Sequence, residues 1–172
     1  GSDLKESDFT MRLQEQGADI FIGHHAENLG DCDVVVYSSA VALDNVEMRA
    51  AKAKNIPILK RAELLAQIMN PKKGITVAGA HGKTTTTSML SCLLIQAGLK
   101  PTTAVGGIVL GGNYHANLGD GEYFVAEVDE SDGSFLCFLP FYSVITNVDF
   151  EHVDYYYSWE NILKAYRQFI GR

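Results

Sequence analysis

Gly79-Ala80-His81-Gly82-Lys83-Thr84-Thr85-Thr86-Thr87 lies between the apolar run Ile75-Thr76-Val77-Ala78 and a segment that puts Met89, Leu90, Leu93 and Leu94 on one helical side. The order predicts a strand, a glycine loop and a helix N-terminus, the arrangement that cradles phosphates. Glycine lets backbone N–H groups turn toward an anion without a Cβ clash. The helix dipole adds positive potential at the same place. The expected cradle is Gly79, Ala80, His81, Gly82, Lys83, Thr84 and Thr85. Lys83 is expected to reach the β- and γ-phosphates, and the Thr84 hydroxyl to sit on Mg²⁺. The loop is shorter than GxxxxGK[ST], because Val77 stands where the first glycine of that pattern belongs. A glycine turn that only starts a helix is the plain alternative. Lysine and four β-branched threonines are a poor helix opening on packing grounds alone. The stretch points to a nucleoside triphosphate.

The chain has 172 residues, enough for one domain or two small ones. Its 47% apolar and 20% charged content fits an ordinary globular protein. A net charge of −7 argues against a broad nucleic-acid-binding surface. Any phosphate ligand then needs local positive charge or a metal ion. Cys32, Cys92 and Cys137 show no metal-binding spacing, which suggests buried thiols in a reducing compartment. No apolar run approaches the ~20 residues of a membrane span.

The rest of the chain alternates between strand and helix patterns. Residues 8–16 read as a helix ended by Gly17, and 20–22 as a strand. Val34-Val35-Val36-Tyr37 reads as a buried strand. Residues 45–54 read as a helix with Asp44 as N-cap and Glu47 completing a capping box. Residues 56–59 read as an edge strand because of Pro57. A helix over 61–69 is stopped by Asn70-Pro71. Strands at 75–78, roughly 103–108, 123–128 and 143–148, with helices at about 83–97 and 159–170, make a second series. The turn-rich stretch 111–115 interrupts it. The fold class is α/β with parallel sheets. The expected domains are 1–71, an incomplete Rossmann-like unit lacking its first strand and glycine loop, and 72–172, an incomplete phosphate-loop-type parallel-sheet domain. Both ends look like those of a fragment.

Open parallel sheets bind ligands at the carboxyl ends of their strands. Besides the glycine loop, two polar clusters fall there: Glu127-Val128-Asp129-Glu130-Ser131-Asp132, and Asn147-Val148-Asp149-Phe150-Glu151-His152-Val153-Asp154. Four acids within six positions repel one another unless a cation sits among them. Mg²⁺ takes oxygen ligands, commonly one or two carboxylates with phosphate and water. Glu127, at the strand end, is the first candidate ligand, and His152 a candidate for a second cation or a phosphate. A solvated acidic loop and a packed histidine are the plain alternatives. In the first unit, Ser38 and Ser39 follow a strand and could hold a diphosphate through their N–H groups. His24 is open between ligand contact and loop. Lys72-Lys73 reads as a solvated hinge, and Tyr155-Tyr156-Tyr157 with Trp159 as packing.

Three runs, Ala78–Thr87, Ala126-Glu127-Val128-Asp129-Glu130-Ser131-Asp132-Gly133-Ser134-Phe135 and Thr146–Asp154, resemble the Mur ligases of peptidoglycan synthesis. Upstream, Gly1-Ser2-Asp3-Leu4, Val35–Ala40 and Arg61–Leu65 are similar to that family's N-terminal domain, so the likeness spans the chain. The four threonines and the Asp129–Asp132 segment are most similar to the branch that takes UDP-N-acetylmuramate and L-alanine. The resemblance implies a cytoplasmic three-domain enzyme using ATP and Mg²⁺. One domain would hold the UDP-sugar, one the nucleotide and one the amino acid. The substrate carboxylate would become an acyl phosphate, which the amine then displaces. Carried over by motif, Lys83 contacts phosphate, Thr84 and Glu127 bind magnesium, and His152 serves a second magnesium. Asp3, His24, Ser38 and Ser39 fall where UDP-sugar contacts are expected. Ala80 departs from the expected threonine, and neither Lys164 nor Arg167 can be assigned a site role. A fragment without the amino-acid domain is not expected to ligate. The rivals are a related ligase that recycles whole peptides, whose acid segment should lack Glu130-Ser131-Asp132, and a non-catalytic nucleotide-binding module.

Overall fold

The computed structural model describes residues 1–107 and 115–171. The expected turn at 111–115 and the end of the strand expected at 103–108 lie largely outside them. The chain divides into two compact units, Gly1–Leu64 and Leu65–Arg172.

The first unit runs β1 (Ser2–Asp3), α1 (Asp8–Glu15), β2 (Phe21–Ile22), a 3-10 turn (Ala26–Leu29), β3 (Val35–Tyr37), α2 (Val46–Ala53) and β4 (Ile58–Lys60). β1 pairs with β2 and β3 with β4, both parallel, as two separate two-stranded sheets among the described residues. The capping pair Ser7 and Thr10 opens α1. Leu29, Met48 and Ala51 form the buried core where α2 meets the 3-10 turn. Two expectations change here. Val36 is half-exposed rather than buried, because β3 has one pairing partner and an uncovered face. The cap of α2 is Asn45, whose side chain accepts from the Glu47 N–H at 2.8 Å, and not Asp44. Glu47 does not fold back to complete a capping box; its carboxylate is recruited elsewhere, as described below.

The second unit holds most of α3 (Arg61–Met69), then β5 (Lys73–Ala78), α4 (Lys83–Gln96), β6 (Thr102–Ala104), β7 (Ala116–Asn117), β8 (Tyr123–Glu127), a 3-10 turn (Ser134–Cys137), β9 (Tyr142–Ile145), α5 (Val153–Tyr156) and α6 (Trp159–Ile170). The division between units falls inside α3, ahead of the boundary expected at 71/72. Packing explains the placement: Ala66 and Met69 are buried, and Met69 Cε lies 2.6 Å from where a Cβ on Gly74 would stand. Lys72 is not a solvated hinge. Its ammonium donates to Thr102 Oγ1 at 3.1 Å and to the carbonyls of Gly119 and Gly121 at 3.3 Å each.

The sheet order is β7-β6-β8-β5-β9, with every pair parallel except β6 with β7. β6, β8 and β5 are the interior strands of this order, and β5 and β8 are buried through their middles, as parallel strands covered on both faces are. α4 packs on β5 and β8. The face it buries overlaps only part of the apolar side read from the sequence: Leu90 and Leu94 are partly buried, Met89 and Leu93 are exposed, and Thr87 and Ser91 are the buried residues. Both hydroxyls donate back into the helix, Thr87 Oγ1 to Lys83 O at 2.8 Å and Ser91 Oγ to Thr87 O at 2.7 Å. Small side chains with internally satisfied hydroxyls bring the helix close to the sheet without an orphaned donor. Phe135 closes the core against α6, with its ring 4.8 Å from Phe169 and 5.4 Å from Tyr166. The cysteines are not buried as expected; Cys92 is exposed, and Cys32 and Cys137 are partly so. Among the described residues no helix is long and apolar enough to cross a membrane.

Phe169→Ala is expected to destabilise the second unit by about 3–5 kcal/mol. Leu93→Ala, on the exposed side of α4, is expected to cost less than about 0.5 kcal/mol. Urea unfolding of both variants checks the pair; equal losses would contradict the packing described for α4.

Candidate functional site

Strand register builds the site. Val77 pairs with Glu127 and Ala78 with Ile145, so β5, β8 and β9 end side by side. The glycine loop, the acid segment and the Thr146–Asp154 segment therefore emerge at one edge. Gly79 is the point of closest approach. Its φ is +131°, and a Cβ there would run into Thr146 Oγ1 and lie 2.8 Å from Asn147 O. Only glycine fits both the angle and the space. Gly82, with φ +80°, makes the turn into α4.

Asn147 locks the loop from the β9 side. Its Oδ1 accepts from His81 N at 3.0 Å, and its Nδ2 donates to His81 O at 2.9 Å. Its carbonyl accepts from Ala80 N at 3.3 Å, and Thr146 Oγ1 donates to His81 O at 2.6 Å. The N–H groups of Ala80 and His81, expected in the cradle, are thus engaged by Asn147. The N–H groups of Lys83, Thr84 and Thr85 precede the first intrahelical bond of α4, from Thr86 N to Gly82 O. The His81 ring is exposed, 3.6 Å from Glu151 and 3.9 Å from Asp149.

Lys83 is held at three oxygens: Gly79 O at 2.6 Å and Glu130 Oε1 and Oε2 at 2.9 and 3.1 Å. Glu130 is 3% exposed, so it needs a cation at hand. His152 Nε2 lies 3.7 Å from the same Glu130 oxygen. His152 sits in the left-handed region, φ 55°, as N-cap of α5. The Tyr156 hydroxyl donates to the Glu130 carbonyl. Burial, and then the neighbouring Tyr155 and acidic side chains, push the Tyr156 phenol well above the usual tyrosine range, so it stays a donor. Burial, and then Glu130, do the same for Tyr166.

Glu127 makes a second, adjacent node. Its Oε1 accepts from Thr84 Oγ1 at 2.9 Å and its Oε2 from Gly106 N at 2.7 Å. Thr84 and Glu127 are therefore in contact, whereas His152 joins Glu130 rather than Glu127. Among the described residues no three His, Cys, Asp or Glu side chains converge as a metal cage. Hydroxyl and carboxylate oxygens at the mouth of a glycine loop do fit magnesium, which is commonly held by one or two carboxylates with phosphate and water. Glu130 was missed in the sequence as the partner of Lys83. Four neighbouring acids look alike there, and only burial separates them.

In the first unit, a cleft of about 720 Å³ is lined by Asp3, His24 and Ser38, among others. Ser39 is not among its lining residues. Ser38 Oγ accepts from Ala40 N at 3.1 Å, a turn contact. Glu47, unremarked in the sequence except as a cap, also lines the cleft. Burial alone would raise its pKa, but hydrogen bonds from Ser2, Asn28 and the His25 N–H, with the electrostatic influence of the neighbouring His24 ring, hold it below the usual carboxylate value.

A lysine-bearing glycine loop beside the buried Glu130, at the carboxyl edge of a parallel sheet, belongs to a mixed α/β protein with parallel sheets. Residues 1–84 match the Mur ligase family, catalytic domain, and residues 77–172 match the Mur ligase middle domain. The chain belongs to the Mur ligase family. It is 53% identical over 171 residues to the UDP-N-acetylmuramate–L-alanine ligase of Aquifex aeolicus, covering 99% of this chain and 38% of that one. The crystal structure of UDP-N-acetylmuramate-alanine ligase MurC from Thermotoga maritima superposes with a TM-score of 0.90 at 33% identity, covering 98% of this chain and 40% of that one. A UDP-N-acetylmuramate:L-alanyl-gamma-D-glutamyl-meso-diaminopimelate ligase from Neisseria meningitides gives 0.88 at 26% identity, covering 99% and 59%. The chain thus spans under two fifths of the curated relative it matches.

Two outcomes test this site. Glu130→Gln is expected to lower stability by roughly 3 kcal/mol, because it leaves the Lys83 ammonium without its counter-charge. Adding Lys83→Met should recover part of that loss in a double-mutant cycle read by urea unfolding. Glu47 has a lowered folded pKa, so its contribution is full above its ordinary value of 4.5 and fades as pH falls through the lower folded value. Glu47→Gln should therefore flatten the acid limb of the stability profile below the ordinary carboxylate value of 4.5.

Proposed function

We propose that this chain supplies the sugar-nucleotide and Mg-ATP portions of an ATP-dependent ligase that joins L-alanine to UDP-N-acetylmuramate. In this reading the first unit is a Rossmann-like domain that holds the UDP-sugar, and residues 72–172 are a phosphate-loop ATP-binding domain. The observation that carries the reading is the pair of contacts at the head of α4, Lys83 on Glu130 and Thr84 on Glu127. The start of α4 thereby presents an ammonium and, at the next position, a hydroxyl, and each meets a carboxylate. Support comes from the 53% identity to a ligase of that specificity.

The chemistry follows from charge. A carboxylate and a γ-phosphate repel each other, so the site must neutralise both before an acyl phosphate forms. Lys83 would transfer its hydrogen bonds from Glu130 to phosphate oxygens. The free N–H groups of Lys83, Thr84 and Thr85 would bind phosphate at the helix N-terminus. Thr84 and Glu127 would hold magnesium, with His152 and Glu130 beside it for a second ion. Magnesium would supply charge neutralisation during phosphoryl transfer. The protein's part is positioning and electrostatics more than covalent chemistry. Asp3, His24 and Ser38 would contact the UDP-sugar in the cleft of the first unit. The amino acid would be bound by a part of the ligase outside these residues. The proposed place of work is the cytoplasm, where the substrates are a soluble nucleotide and an amino acid.

Phosphate release by a full-length ligase carrying this sequence is expected to need both UDP-N-acetylmuramate and L-alanine. Stimulation by the tripeptide in place of L-alanine would favour the recycling ligase. Nucleotide binding without turnover would favour a binding module. Lys83→Ala is expected to reduce turnover at least about 100-fold under conditions where circular dichroism shows the variant still folded, with a lowered urea midpoint because Glu130 loses its cation. Unaltered turnover would remove Lys83 from the proposed role.

A further inference from the structure

The Glu47 carboxylate accepts from every element around it. Oε2 takes the Ser2 hydroxyl at 2.6 Å and lies 3.5 Å from His24 Nδ1. Oε1 takes Asn28 Nδ2 at 2.7 Å and the His25 N–H at 3.2 Å. Only 14% of the side chain is exposed. An anion so fully occupied is a poor direct partner for a second anion such as a diphosphate. Its neighbours are the ones left with something to offer.

His24 is the neighbour that changes most. Ser2 Oγ spends its proton on Glu47, so at its 3.3 Å contact with His24 Nδ1 it can only accept. The ring therefore carries its proton on Nδ1. Nε2 makes no hydrogen bond or ion pair among the described residues, and His24 lines the cleft. The turn that carries the ring is held as well. Gly23 has φ +93°, and Asn28 Nδ2 donates to its carbonyl at 3.1 Å while also reaching Glu47. α2, β1 and the turn after β2 thus meet on one carboxylate.

We propose that Glu47 is a positioning residue that fixes the tautomer and plane of His24, presenting Nε2 to the sugar nucleotide in this cleft. The inference rests on the reading of the cleft as the UDP-sugar site. Glu47 itself touches no substrate. Because a carboxylate has two acceptor oxygens and an amide one, Glu47→Gln breaks the set without changing its shape.

The test is steady-state kinetics of the full-length ligase with UDP-N-acetylmuramate as the varied substrate. Glu47→Gln is expected to raise KM for the sugar nucleotide about tenfold with KM for ATP unchanged. In a His24→Ala background the same substitution should add nothing further. Ser2→Ala, which removes one donor and keeps the carboxylate, should give a smaller rise in the same constant, and serves if Glu47→Gln fails to fold. An equal loss with and without His24 would overturn the proposal, as would an unchanged KM in both Glu47→Gln and Ser2→Ala. If His24→Ala itself leaves sugar-nucleotide affinity unaltered, it is the reading of the cleft that fails.

Discussion

Burial of the Glu130 carboxylate is the constraint on which the functional edge depends. A carboxylate removed from water is stable only with a cation and hydrogen-bond donors around it. Lys83 meets that need with both of its contacts to the acid and a third to Gly79 O. Those bonds tie the start of α4 to the loop it follows and to the segment after β8. Tyr156 holds the Glu130 backbone from α5, and His152 approaches from the start of the same helix. Removing either charge would leave the other buried and unpaired, so the arrangement is stable as a pair and fragile in halves. The same property suits a phosphate site. An ammonium already desolvated and aimed needs little reorganisation when a stronger anion arrives.

The pair can form only because three strand ends coincide. β5 lies between β8 and β9, parallel to both, in a register that sets Val77 beside Glu127 and Ala78 beside Ile145. A shift of one residue would turn Glu127 to the other face of the sheet. Glycine at position 79 then lets Thr146 and Asn147 approach the loop backbone closely. The small residues Thr87 and Ser91 bring α4 down onto the sheet, which places Thr84 within hydrogen-bond reach of Glu127. Phosphate chemistry and packing therefore draw on one helix face.

The first unit uses the same device on a smaller scale. Glu47, on α2, is a partly buried acid surrounded by donors from β1 and the turn after β2. In both units a carboxylate organises neighbouring groups that would otherwise be mobile polar side chains. Under the proposed function the two nodes would serve one reaction, with a sugar nucleotide at one and a nucleoside triphosphate at the other. The chain spans under two fifths of the length of its curated relative.

Local chemistry was legible in the order of residues. A glycine loop between an apolar run and a helix start, with lysine and threonine in place, needs no tertiary information to be recognised. Nor does the alternation of strands and helices, since period and punctuation are local properties. Thr84, from the glycine-loop motif, and Glu127, from its place at a strand end, were expected to share an ion, and their side chains do touch. What the residues could not settle was which of several equivalent groups is buried and against what. Glu130 is one acid among four, Asn45 follows Asp44 as an equally good cap, and Met89 and Leu93 look more like core than Thr87 and Ser91. Each choice was decided by the register of distant strands and the closeness of helix to sheet. Periodicity identifies a face, but solvent access is a property of everything packed around it.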